Sequence, residues 1–154
     1  MVAHGIVMSK LVYLITVWGG AQQYLMDALQ VQQLVAARAV CGAGCCRWSK
    51  RKLLGNAGWL SVRQLVFFHT YLQAHKTTSS GVPKPLYQAL SSQYAYQTRN
   101  AANGRIRQIF SVHSSFNYRA VQCYNQVPTA VRVGNIATVK QKLKQWKKCN
   151  VPVD

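Results

Sequence analysis

The residues in this sequence with the readiest chemistry are five cysteines and four histidines, and their spacing limits what they can do. Cys41, Cys45 and Cys46 are candidate zinc ligands with His69 or His75 as nitrogen donors, and Cys41 and Cys45 fit half of the required spacing. A structural zinc site needs a second spaced pair of ligands, and none follows, so small cysteines at a helix end are the expectation and no metal is. A nucleophilic Cys or Ser working with His4, His69, His75 or His113 needs an acid to orient the imidazole. Asp27 is the one interior acid, and no G-x-S-x-G elbow is present. His69, beside Phe68 in an apolar stretch, reads as a packed core residue. Asp27 and Asp154 are the whole carboxylate inventory. Glycosidase chemistry, carboxylate-held magnesium for phosphoryl transfer and aspartic-protease dyads all need paired carboxylates, and calcium needs several anionic oxygens. No catalytic residue and no cofactor are expected; the chain alone does not read as an enzyme.

Binding chemistry is another matter. Nineteen Lys and Arg against two Asp and Glu give a net charge of +17 and a pI near 10.2. So large a cation surplus stays solvated, repels itself or meets an external polyanion, and RNA or DNA is the commonest such partner. Two runs concentrate it. Arg47, Lys50, Arg51 and Lys52 surround Trp48, with Trp59 nearby; cations meet phosphates and an exposed indole can stack on a base. The same run also reads as a solvated loop or a nuclear import signal. Lys140, Lys142, Lys144, Lys147 and Lys148 surround a narrow stripe of Val139, Leu143 and Trp146. That pattern suits nucleic acid, an acidic partner's groove or an anionic membrane surface; a core-packed helix with a basic outer side explains it more simply. The stripe is too thin for strong membrane insertion.

These residues must be positioned by elements, and the periodicity is mostly helical. A chain of 154 residues, 49% hydrophobic, has the length and apolar content for a single folded domain over 1–154. From Gln22 to Val40, Leu25, Ala28, Leu29, Val35, Ala36, Ala39 and Val40 recur at helical intervals, with Gln32 an exception and Gly42 and Gly44 closing the run. The stretch Leu11 to Gly19 fits a helix or a buried strand, with helix preferred, and is too short to cross a bilayer. Leu53 and Leu54 sit on a short helix stopped by Gly55 and Gly58. Ser61 caps a helix that buries Leu65, Val66, Phe68, Tyr71 and Leu72 and continues to about Lys76. TTSSGVPKP then reads as turn and linker before a short segment, Leu86 to Leu90, and residues 91–104 as an exposed polar loop, so that 77–104 is expected to be flexible. Arg105 to Val112 suggests a short strand, Phe116 to Tyr124 a helix capped by Ser114 or Ser115 and ended by Pro128, and Ala137 to Lys148 a final helix. The expected fold is mainly α, an irregular helical bundle with at most a short strand or hairpin. An odd cysteine count without a framework spacing, and a Met1–His4 start without basic residues, point to an intracellular location over secretion, and the basic run read as an import signal to a nuclear one.

Four blocks, in order, carry a resemblance: LVYLITVWGGA (Leu11–Ala21), LQVQQLVAARAVCG (Leu29–Gly42), LLGNAGWLSVRQLVFFHTYLQAHK (Leu53–Lys76), and SFNYRAVQCYNQVP with VKQKLKQWKK (Ser115–Pro128, Val139–Lys148). Together they resemble the thumb and post-thumb region that follows the catalytic palm in the reverse-transcriptase polyprotein of non-LTR (LINE-type) retrotransposons. The resemblance implies a noncatalytic, helical, nucleic-acid-binding fragment that grips template and primer while chemistry occurs elsewhere in the parent RNA-directed DNA polymerase. Carried onto this chain, it nominates Arg38, Arg63 and Arg119 as backbone-contacting cations. Tyr124 stands where the pattern usually has Trp, and the basic run after Cys46 has no counterpart in it. Outside the resemblance, a small cationic secreted or membrane-surface protein and a protein-interaction fragment are the alternative readings.

Overall fold

A computed structural model describes residues 2–42, 44, 47–91, 99–107 and 115–150. The architecture is mainly α, as the periodicity predicts, with α1 Val2–Val12, α2 Ile15–Trp18, α3 Gln23–Cys41, α4 Lys50–Ala57 and α5 Val62–Ser80 in the first half of the chain. After them come α6 Lys84–Leu90, α7 Arg99–Ala102, α8 Phe116–Gln126, α9 Thr129–Arg132 and α10 Ile136–Asn150. Internal contacts group the chain into two compact units, residues 1–66 and Phe67–Asn150. Helix α5 gives Val62, Leu65 and Val66 to the first and its remaining turns to the second.

In the first unit, Leu34, Ala37, Leu53, Leu54 and Trp59 form one buried cluster, and Ile15, Met26, Val62, Leu65 and Val66 form another. The buried face of α3 is therefore Met26, Gln33, Leu34 and Ala37. This corrects the periodicity reading: Leu25, Ala28, Val35, Ala39 and Val40 are exposed, and Leu29 and Ala36 half-buried. The helix is apolar on two sides, and hydrogen bonds choose between them. Gln33 Nε2 donates to the Leu60 carbonyl at 2.8 Å, Gln30 Nε2 donates to Gln33 Oε1 at 2.9 Å, and Gln30 Oε1 accepts from the Val62 N–H at 2.9 Å. These bonds satisfy the start of α5 and make a buried glutamine tolerable. Ser61 and Gln64 complete the start reciprocally: Ser61 Oγ accepts from the Gln64 N–H, and Gln64 Oε1 from the Ser61 N–H.

In the second unit, Phe68, Tyr71, Val127, Val139 and Leu143 are buried together, as are Ala74, Leu90, Ile106, Ala120 and Val121. Tyr71 stacks on His75 at 6.0 Å and on Tyr124 at 5.7 Å, and the Arg132 guanidinium lies 4.8 Å from the Tyr124 ring. Arg132 also donates to three carbonyls: Val127 at 2.7 Å, Gly104 at 2.9 Å and Asn125 at 3.3 Å. Helix α5 does not stop at Lys76. Thr77 is fully buried, Thr78 Oγ1 donates to the His75 carbonyl and Ser80 Oγ to that of Lys76, and Gly81 at φ +69° ends the helix. The expected linker thus begins four residues late, and α6 and α7 occupy part of 84–102; residues 92–98 lie outside those described. Residues 105–107 join no strand. Asn125 instead acts as a surrogate ladder partner, accepting from the Ile106 N–H and donating to its carbonyl, both at 2.9 Å. The rest of the expected strand, 108–112, lies outside the described residues. Ser115 caps α8 by accepting from the Tyr118 N–H, as anticipated.

Candidate nucleic-acid interface

Helix α4 begins against its own electrostatics. Ser49 Oγ caps it by accepting from the Lys52 N–H, yet the first turn is Lys50, Arg51 and Lys52, at the end where the helix dipole is positive. That opposition costs about 0.5 kcal/mol per cation. Burial of Leu53 and Leu54 outweighs it, at about 2 kcal/mol per side chain, and Gly58 in the left-handed region at φ +70° closes the helix with its N–H on the Gly55 and Leu54 carbonyls. The result is a fixed, exposed group of Arg47, Lys50, Arg51 and Lys52 around a helix N-terminus, the end whose free N–H groups also favour anions.

The tryptophans do less than their sequence position suggests. Trp59 is 5% exposed and belongs to the core, so it is no stacking platform. Trp48 is half-buried against the same cluster, with Lys52 Nζ 4.9 Å from its ring centroid. Its ring orients the lysine by a cation–π contact.

Arg38 is exposed in the last turn of α3, where a cation complements the helix dipole. Arg63 is held at the first unit's surface by Asp27, Nη2 to Oδ1 3.0 Å. A 2.9 Å bond from Gln23 Nε2, then the Arg63 guanidinium, hold the Asp27 carboxyl below the usual carboxylate range. Arg119 is half-buried. It is drawn into the second unit beside Cys123, its Nε and Nη1 shielded from solvent, and this desolvation pushes its ionisation down from the usual arginine value.

On α10, Val139 and Leu143 are fully buried and Trp146 stacks on Phe67 at 6.1 Å, so the basic helix is core-packed with its lysines outward. Lys140 and Lys144 share an exposed face, and the helix itself continues through residues 147 and 148. Lys142 leaves that group: its Nζ donates to the Ala130 and Val133 carbonyls at 3.3 Å, satisfying the end of α9. Arg105 and Arg107 are two exposed cations that charge runs alone do not select. Their signal is the alternation Arg-Ile-Arg, in which Ile106 points to the core and its neighbours away from it. Among the described residues no group of His, Cys, Asp and Glu is placed to hold a metal; Cys45 and Cys46 lie outside them. His75 is buried, while His69 is half-buried and meets Phe68 edge-on. No helix among the described residues is long and apolar enough to cross a membrane. Compared with protein-family models, curated proteins and solved structures, the chain matches none.

Proposed function

We propose that this chain is a noncatalytic nucleic-acid-binding fragment of reverse-transcriptase ancestry, which grips an RNA or DNA backbone through exposed cations while chemistry is done elsewhere. The observation that carries the reading is the first turn of α4. Lys50, Arg51 and Lys52 stand there beside Arg47 on a capped, buried-leucine scaffold, while Asp27, the one described carboxylate, is already bonded to Arg63. A polyphosphate supplies the counter-charge that the sequence withholds, and its affinity comes with release of condensed counterions. The exposed Lys140 and Lys144 of α10 offer a second contact of the same kind. Ancestry is supported by the order of the four sequence blocks and by the helical elements they form.

Fluorescence anisotropy with single-stranded RNA and DNA oligonucleotides tests the reading. Four phosphate contacts give a log–log salt slope near −3, so raising salt from about 50 to about 200 mM weakens binding about 50-fold. Reversing Arg51 and Lys52 to Glu weakens binding about tenfold or more, to a similar degree for every base sequence. Absence of binding at low salt, or binding indifferent to salt, would falsify the reading.

A further inference from the structure

The outward side of α3 is apolar and uncovered. Tyr24, Val31 and Val35 are 65%, 55% and 52% exposed, and Ala28 and Ala39 between and beyond them are exposed as well. They recur every three or four residues, which places them on one stripe opposite core-facing Met26, Gln33 and Ala37. The feature is regional: nine of the thirteen exposed large apolar side chains among the described residues fall within residues 6–40.

Charge is distributed the other way. Residues 1–40 contain Lys10, Arg38 and Asp27, a net +1, so the remaining residues carry the other +16 of the chain's +17. A polyanion, an anionic bilayer or an acidic helix needs cations at its contact, and this stripe has Arg38 alone, at one end. A nearly neutral apolar stripe fits another of its own kind. Reversal makes it self-complementary as well. Read in opposite directions, the series Tyr24, Ala28, Val31, Val35 sets Tyr24 beside the second copy's Val35 and Ala28 beside the second copy's Val31. Each layer then joins a larger side chain to a smaller one, as interdigitated helix pairs require.

We propose that α3 is a self-association helix, pairing antiparallel with α3 of a second copy about a two-fold axis and closing at the dimer. This goes beyond the nucleic-acid reading and does not rest on it. Four layers span about 16 Å of helix, a small contact, so dissociation constants on the order of 10–100 µM are expected. The net +16 carried outside residues 1–40 repels its copy across the dimer, so salt that screens it strengthens association. That dependence is opposite in sign to phosphate binding.

Sedimentation velocity on the nuclease-treated full chain is the test, from about 5 to about 300 µM and at about 0.1 and about 0.5 M salt. The expected result is a weight-average mass rising from 17.2 kDa toward twice that value, at lower protein concentration in the higher salt. Val31→Lys, at an exposed position whose fold is checked by circular dichroism, stays at monomer mass throughout, and so does Val35→Lys. Val133→Lys, 71% exposed in the second unit, associates like the parent. Chains carrying Ala28→Glu and Val31→Lys, each monomeric alone, form a mixed dimer when combined, which reports the antiparallel register. A parent chain that stays monomeric everywhere, lysine variants that associate like the parent, a mixture that fails to pair, or association that weakens as salt rises each overturns the proposal.

Discussion

His75 is a titratable residue whose ionisation the fold opposes by burial. It is 6% exposed and stacked on Tyr71, and its Nδ1 has no hydrogen-bond partner among the described residues. Burial lowers its proton affinity. Above a pH of about 6.5 neither the folded nor the unfolded chain protonates it; below that, the unfolded chain binds a proton that the native state refuses. Stability is therefore expected to fall as pH drops from about 6.5 toward the lower native value, and His75→Phe should flatten that part of the profile. Thermal midpoints measured from about pH 7.5 to about pH 5 on both chains check this; equal slopes would remove His75 as the cause. Tyr71 is its alkaline counterpart. Burial first, then neighbouring Tyr124, pushes its phenol up to about 12, so the ring stays neutral wherever the protein functions.

At the scale of elements, the junction between α1 and α2 is strained without an evident return. Leu14 sits in the left-handed region at φ +48°, ψ +29°, and its side chain is 55% exposed. A branched residue there costs about 1 kcal/mol relative to asparagine, which visits this region readily. Leu14→Asn should stabilise the chain by about 0.5–1 kcal/mol in denaturant unfolding, provided no buried contact is lost. Helix positions elsewhere follow from local signals that survive without tertiary context: Ser49 and Ser115 before helices, Gly58 after one, and the stripe of Val139, Leu143 and Trp146. What periodicity alone did not yield was the choice between α3's two apolar sides. That choice depends on where the Leu60 carbonyl and the Val62 N–H fall, and both come from a distant segment. The end of α5 was hidden for a related reason, because Thr77–Ser80 has turn composition but its hydroxyls bond back into the helix.

For the whole molecule, charge is the dominant quantity. A net +17 makes compactness expensive at low ionic strength, since self-repulsion is relieved when the chain expands. Raising salt from about 50 to about 500 mM is expected to lift the thermal midpoint by a few degrees, and a stoichiometric oligonucleotide to do so at low salt by binding the native state. Differential scanning fluorimetry distinguishes the two, because the oligonucleotide's effect should vanish as salt rises. Of the candidate interface, the cluster at Arg47–Lys52 was visible from sequence because a run of neighbouring charges needs no fold to bring it together. Arg119 and Lys142 were not separable from it, since both look like surface cations until packing draws one inward and a helix end claims the other.

Arg132 shows that the basic residues are not one population. Its planar fork reaches the carbonyls of residues 104, 125 and 127 at once, with the Tyr124 ring beneath it. Lysine in that place would keep the charge but radiate its donors from a single atom, too compact to span three acceptors. A like-for-like exchange of guanidinium for ammonium thus separates the two kinds of side chain. At Arg47 and Arg51 the melting temperature should stay put, whereas at Arg132 it should drop by about 5 °C. Over generations, such positions would drift between the two basic amino acids at the surface and hold fast at this one joint.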